Sequence, residues 1–325
     1  RSDPTEWLLE EDNPSVRYLA LRYLLGKKKD DGEVLEAKAR IMTHGIVPKV
    51  LAKQEPGGHW GLPEHFYQCS KYKGTSWNLI LLAELCADPE DPRIKAACEF
   101  IMNWAQHRSS GGFSYKGSAK DGGGIGVFSC LTGNMAFSLI RLGCWDDERV
   151  KMAIDWIVRY QRYEMAPHPT KEWPYHYDLC WRKHVCRSGA VKTLKAFAEV
   201  PERDRTRDMK AKVAEGAEFL LAQHIFRRPP ELKEVSRKEW LDLGFPLMWN
   251  TDVLEMLNIL ADLGIKDARM NEAVEHVLSK QQENGRWLQE NYFPGRFVTT
   301  VERNGKDSRW VTLNAMRALK ALSDR

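Results

Sequence analysis

One short element recurs along this chain and constrains its fold more than any other feature. A glutamine closes an apolar stretch, a glycine follows, and an aromatic residue comes next. It appears as Gln54-Glu55-Pro56-Gly57-Gly58-His59-Trp60, as Gln106 through Gly111-Gly112-Phe113, and as Gln282-Glu283-Asn284-Gly285-Arg286-Trp287. Weaker copies follow Gln161, with Trp173 downstream, and Gln223. These glutamines, at 54, 106, 161, 223 and 282, are 52, 55, 62 and 59 residues apart. A period of that length marks a stacked array of helix pairs, because one pair cannot bury its apolar surface alone.

The stretches between the copies fall into two kinds. Thr75 to Ala87, Leu131 to Gly143, Arg187 to Glu199, Asn250 to Gly264 and Val311 to Leu322 are apolar on more than one face. A helix apolar all round is buried on both sides. Pro92 to Gln106, Glu148 to Gln161, Met209 to Gln223 and Ala268 to Gln282 carry apolar residues at three- and four-residue steps, as in Val150, Ile154, Ile157 and Val158. That pattern gives one buried and one wet face. Buried inner helices and amphipathic outer ones make two concentric layers. At the amino end Asn13-Pro14-Ser15 is a helix start, and Glu33 to Lys53 reads as the next outer helix. The expectation is one all-α domain over 1–325, with HEAT-like helices in 1–53 completing a ring of six inner helices and the repeats in 54–325.

The Gln…Gly-x-Trp element resembles the QW motif of squalene and oxidosqualene cyclases and the Gly-Gly-Phe turns of protein prenyltransferase β-subunits. The resemblance covers residues 40 to 322. It implies an α/α toroid, an (α/α)6-barrel, of the terpenoid cyclase and prenyltransferase superfamily. It also implies a hydrophobic, isoprenoid substrate in a central cavity. As a structural fastener the motif says little about chemistry. No Asp-x-Asp-Asp occurs, nor Asp-Cys-Thr-Ala-Glu, which excludes classical squalene-type cyclisation.

The ends that precede the inner helices would surround the cavity mouth, and helix N-termini favour anions. Aromatic, basic and thiol residues gather there. Tyr67, Phe128, Tyr177, Trp181, Trp249, Arg182, Arg187 and Arg309 are the expected substrate-binding residues. Trp77 and Trp310 read equally well as core. Aligned inner helices put Cys130 and Cys186 at equivalent positions, and a helix N-terminus lowers a thiol pKa. Asp178, Cys186, Cys130 and His184 are therefore the catalytic candidates.

Asp178, Cys180, His184 and Cys186 offer oxygen, sulfur and nitrogen ligands within a short segment, a mixture zinc takes tetrahedrally, a catalytic site using three of them and keeping one position open. Prenyltransferase β-subunits use an Asp-x-Cys before an inner helix with a distant histidine. Asp178-x-Cys180 matches the first half, but the region of Met248-Trp249-Asn250 has no histidine. Zinc through His184 is thus an inference from ligand chemistry.

Composition sets the remaining bounds. With 49 basic against 45 acidic residues the net charge is +4, which suits an anionic small molecule and does not call for nucleic acid. Seven scattered cysteines form no framework, so a reduced, cytoplasmic setting is expected. No apolar run is long enough for a transmembrane span. Glycines from 111 to 126 read as a loop over the mouth or a linker, and 227 to 244 as a lid or a contact for a protein partner. Against an enzyme stands a second reading, a non-catalytic helical scaffold that binds a ligand or a protein.

Overall fold

The computed structural model describes residues 2–67, 72–164, 185–291 and 296–323. Among them the α-helices are α1 (Thr5–Leu8), α2 (Pro14–Tyr23), α3 (Gly32–Arg40), α4 (Ile46–Leu51), α5 (Thr75–Glu84), α6 (Pro92–Ala105), α7 (Ser129–Leu139), α8 (Glu148–Tyr160), α9 (Arg187–Glu199), α10 (Arg207–Leu221), α11 (Val253–Asp262), α12 (Asn271–Ser279) and α13 (Arg309–Ser323). The only sheet among the described residues is a hairpin of β1 (Gly117–Ser118) and β2 (Gly122–Gly123). The all-helical class expected from the repeat is the one observed. No described helix is long and apolar enough to cross a membrane.

The chain divides into two compact units. A mid-chain unit comprises residues 53–219 and 248–250; a chain-ends unit comprises 1–52, 220–247 and 251–325.

In the mid-chain unit the two helix types separate as their apolar patterns require. Every residue of α7 is buried, and α5 is buried from Thr75 to Ala83. The outer helices α6 and α8 bury one stripe each, Ile94, Ala97, Cys98, Ile101 and Met102 in the first, Val150, Ala153, Ile154 and Ile157 in the second. Helices α7 and α9 approach so closely that a Cβ on Gly133 would strike the Lys192 backbone. Only glycine allows that contact.

The repeat element is a fastener with fixed wiring. Gln54 Nε2 donates to the carbonyls of Gly58 (3.3 Å) and Arg93 (2.8 Å), while Trp60 N–H donates to Thr75 Oγ1 (3.2 Å). In the next copy Gln106 Nε2 donates to Gly111 (2.7 Å) and Arg149 (2.6 Å), and Phe113 N–H to Thr132 Oγ1 (2.9 Å). The amide thus ties its own turn to the start of the next outer helix. The aromatic residue's N–H ties that turn to the next inner helix. Gly58 and Gly111 both sit at φ +84 against a carbonyl of the outer helix, where a side chain is excluded twice over.

The outer helices α6 and α8 each begin with an aspartate N-cap and an arginine two residues on. Asp91 accepts from Arg93 N–H (2.8 Å) and Asp147 from Arg149 N–H (2.8 Å), and each arginine folds back onto the same carboxylate. Those arginines hold both aspartates below the usual carboxylate range.

The chain-ends unit uses the same device with one difference. Trp287 N–H donates to Thr312 Oγ1 (3.0 Å), but the working amide is Gln281, whose Nε2 donates to Gly285 (3.0 Å). Gln282 instead donates to the Lys280 carbonyl. The expected glutamine is therefore corrected by one residue. Gly285 packs against the Ser2 carbonyl, and Ser2 N–H donates to Glu283 (3.3 Å). The chain's own first residues take the place of an outer helix, and α13 packs on α2.

Two further expectations change. The outer helix over 33–53 breaks at Gly45 (φ +82) into α3 and α4. The glycine-rich stretch 111–126 is a tight hairpin bound to the end of α6, with Ser114 N–H donating to Ala105 (2.9 Å) and Gly123 N–H to Gln106 (2.8 Å). The stretch 227–244, read as a lid or a partner contact, is tied down at both ends, where Arg227 pairs with Glu272 and Leu243 N–H donates to Glu290 (2.9 Å). Gln289 exchanges hydrogen bonds with the Phe245 backbone (both 3.0 Å), and Phe245 stacks on Trp310 at 4.2 Å.

Candidate functional site

Six aromatic residues of the mid-chain unit lie in one connected group near the starts of its inner helices. Tyr67 lies 4.7 Å from Trp77 and 5.6 Å from Phe128, and Phe128 lies 6.1 Å from Tyr115. Trp77 meets Tyr72 edge-on at 5.1 Å, and Tyr72 Oη accepts from Trp249 Nε1 (2.9 Å). Six rings thus form one connected wall. Trp77 is 1% exposed and serves as its buried footing, whereas Tyr67 and Trp249 are half-buried.

Trp249 reaches this wall from a strained backbone. Met248 sits at φ +56, a region that costs a non-glycine residue energy and persists only when its surroundings hold it. Asn134 supplies part of the hold, donating from Nδ2 to the Met248 carbonyl (3.3 Å). Its Oδ1 is buried without a partner. A polar amide in the middle of a fully buried, largely apolar helix was the available sequence signal for Asn134.

Capping completes the picture. Helix α7 has Phe128 at its N-cap, which offers no hydrogen-bonding group, and the Ser129 hydroxyl next to it is buried without a partner. Helix α9 has Cys186 at its N-cap, whose Sγ accepts the Gly189 N–H at 3.5 Å. Sulfur is a weak acceptor, so this cap is poor. Ser129 Cβ and the Cys130 backbone lie against the first turn of α9 at Gly189. Two inner helices therefore begin side by side, with no side-chain oxygen at either N-cap. Helix α5 is different: its Gly74 N-cap is bare, but the Phe66 carbonyl accepts from Ser76 N–H (3.0 Å).

Of the expected site residues, the structure brings Tyr67, Phe128, Cys130, Cys186, Arg187 and Trp249 into this one unit. Cys130 is buried, and Cys186 and Arg187 are half-buried. Arg309 belongs to the chain-ends unit, where it pairs with Glu10 and with Asp12 (2.8 Å) and donates to the Trp7 carbonyl (2.9 Å). It fixes the amino-terminal segment. Tyr177, Asp178, Cys180, Trp181, Arg182 and His184 lie outside the described residues. Among the described residues no group of three potential ligands surrounds a metal position.

One group escaped the sequence reading. In the chain-ends unit Glu302 accepts the Trp310 N–H (3.3 Å), and burial pushes its pKa up to about 7 against the opposing pull of that bond, Ser308 and Arg309.

No protein-family model matches the chain, and no curated protein matches its sequence. Solved structures do match. Type II terpene cyclase MstE from Scytonema is 14% identical, with 95% of this chain and 87% of that chain covered and a TM-score of 0.45. A protein from Actinoplanes is 16% identical over 95% of this chain and 89% of that one, also at 0.45. A glycosidase is 12% identical over 89% and 98%, at 0.36.

Proposed function

We propose that this chain is an enzyme that binds a hydrophobic small molecule bearing an anionic group, in the manner of the prenyltransferases and cyclases its repeat resembles. The ligand's body lies along the aromatic wall from Tyr115 to Trp249. Its charged end lies at the paired starts of α7 and α9, beside Arg187. The observation that carries this reading is the juxtaposition of that wall with two inner helices whose N-caps bear no oxygen. A helix start carries about half a positive charge, and two placed side by side repel one another unless an anion lies between or beside them. Aromatic faces stabilise cationic carbon that develops when such an anion departs.

Cys130 and Cys186 are the thiols at this place and our candidates for the nucleophile. Zinc held by Asp178, Cys180, His184 and Cys186 is part of the proposal. Of these sulfurs Cys186 is the one among the described residues, at the start of α9 with its Sγ accepting the Gly189 N–H at 3.5 Å. A zinc ion bound there would supply Lewis acidity or an activated thiolate.

Calorimetric titration with farnesol and with farnesyl diphosphate tests the reading. Both bind, and the diphosphate binds at least tenfold more tightly. Phe128→Ala and Tyr67→Ala weaken both ligands. Equal affinity for alcohol and diphosphate removes the anion site, and no binding of either removes the proposal. Elemental analysis of untagged protein settles zinc separately, since stoichiometric metal must fall in Cys180→Ser.

A further inference from the structure

Two unfavourable features meet at one peptide of the mid-chain unit. Met248 is buried and holds φ +56, a conformation that a residue with a side chain adopts at a cost. Asn134 is 1% exposed and donates from Nδ2 to the Met248 carbonyl (3.3 Å), while its Oδ1 has no partner. A leucine at 134 would fill similar space and bury no unmet acceptor. Neither feature favours the fold by itself, so both direct attention to what the peptide carries.

It carries Trp249. The Met248 carbonyl and the Trp249 nitrogen share one planar peptide, so the bond from Asn134 fixes the plane from which the indole starts. At the other end Trp249 Nε1 donates to Tyr72 Oη (2.9 Å), and Tyr72, itself buried, stands edge-on to Trp77 at 5.1 Å. Trp249 is thus pinned from both sides, yet it is half-buried and part of the residue stays accessible. Helix α7 makes a firm anchor for the first pin. All its residues are buried, and Gly133, next to Asn134, lies against the Lys192 backbone. A side chain on a helix packed on every side has little room to shift.

We propose that Asn134 is a positioning residue that acts through the strained Met248 peptide to set Trp249 on the aromatic wall. The inference rests on the reading that this wall binds the ligand, and it gives a part in binding to a residue the ligand does not touch. Without the Asn134 donor, Met248 relaxes to negative φ, the peptide turns and the indole leaves Tyr72. A ligand along the wall then loses Trp249 while keeping Tyr67 and Phe128.

The test reads Trp249 directly. The whole chain is labelled with 5-fluorotryptophan, and the fluorine resonance of Trp249 is assigned by its absence in Trp249→Phe. Asn134→Leu moves that resonance toward the position of free 5-fluorotryptophan and weakens farnesyl diphosphate about tenfold. Adding Met248→Gly returns both, because glycine takes positive φ as readily as negative and needs no donor to hold it there. A leucine that merely disturbed the packing of α7 would not be repaired by a glycine at 248. Asn134→Ala serves the same comparison should the leucine variant not fold. An unmoved Trp249 resonance in the Asn134 variant, or no return with Met248→Gly, overturns the proposal. Wild-type protein that does not bind farnesyl diphosphate removes the ligand reading, while the resonance still upholds or overturns the placement of Trp249.

Discussion

The inner helices of the two units start in opposite ways. In the chain-ends unit each has an oxygen cap. Asn13 accepts from Val16 N–H (3.3 Å) on α2, Asp252 from Glu255 N–H (2.7 Å) on α11, and Ser308 from Val311 N–H (3.0 Å) on α13. In the mid-chain unit the equivalent residues are Gly74, Phe128 and Cys186. The outer helices do not follow this division, since Asp31 caps α3 in one unit and Asp91 and Asp147 cap α6 and α8 in the other, while α4 and α12 have no side-chain cap. Among the inner helices the missing oxygens are thus confined to the mid-chain unit, which is also where the aromatic wall stands. Inner helices capped with oxygen in one unit and bare of it in the other leave room for a ligand's oxygen where the cap is missing.

The largest expected effect lies on the capped side. Asp252 is 1% exposed and accepts a second bond, from Gly244 N–H (3.0 Å). Asp252→Ala removes the cap and strands two donors, the Gly244 N–H buried and the Glu255 N–H half-buried, at a cost of about 3 kcal/mol. Urea unfolding measures it. A loss below about 1 kcal/mol would mean that capping does not hold this unit together, and the contrast between the units would lose its energetic content.

The second prediction uses pH. Glu302 adds another acceptor to the start of α13, yet burial raises its pKa from 4.5 to about 7. The folded state therefore binds the proton more tightly than the unfolded state. Its contribution is fully present below about pH 4.5 and is lost as pH rises through about 7. After discounting for partial exposure, the loss is about 1 to 2 kcal/mol between those limits. Unfolding curves of Glu302→Gln should lack this decline and cross the wild type on the alkaline side. Parallel curves would mean that Glu302 is ionised throughout.

Much of this was legible in the sequence, and the limits have physical causes. Helix α9 runs from Arg187 to Glu199, where its apolar pattern put it. The fasteners were visible because glutamine, glycine and aromatic residue lie within one turn of each other. Their hydroxyl partners were not, since Thr75, Thr132 and Thr312 follow by 15, 19 and 25 residues and no local rule links them. The choice between Gln281 and Gln282 needed the spacing to the aromatic: Gln281 to Trp287 repeats Gln54 to Trp60. At the site, Cys130, Cys186, Phe128, Tyr67 and Trp249 were found because unusual residues cluster before inner helices. Arg309 shares that sequence position but is spent on Glu10 and Asp12, acids nearly three hundred residues away in the chain. Proximity to a helix start is local information, whereas the partner that consumes a charge is not.

The smallest effect is the sharpest probe of the contrast, because it converts one kind of start into the other. Cys186→Asp gives α9 the cap its counterparts in the chain-ends unit possess, with the carboxylate in place of Sγ facing the Gly189 N–H. An oxygen cap on an otherwise poorly capped helix stabilises by about 1 kcal/mol, aided by the helix dipole. The same carboxylate occupies the position proposed for the ligand's anion. Stability should therefore rise while affinity for farnesyl diphosphate falls about tenfold and affinity for farnesol holds. A gain in stability with unchanged diphosphate binding would leave the uncapped start as a local structural deficit and move the anion elsewhere. A loss in stability would show that the start of α9 already has the acceptor it needs, and the two units would no longer differ at that helix.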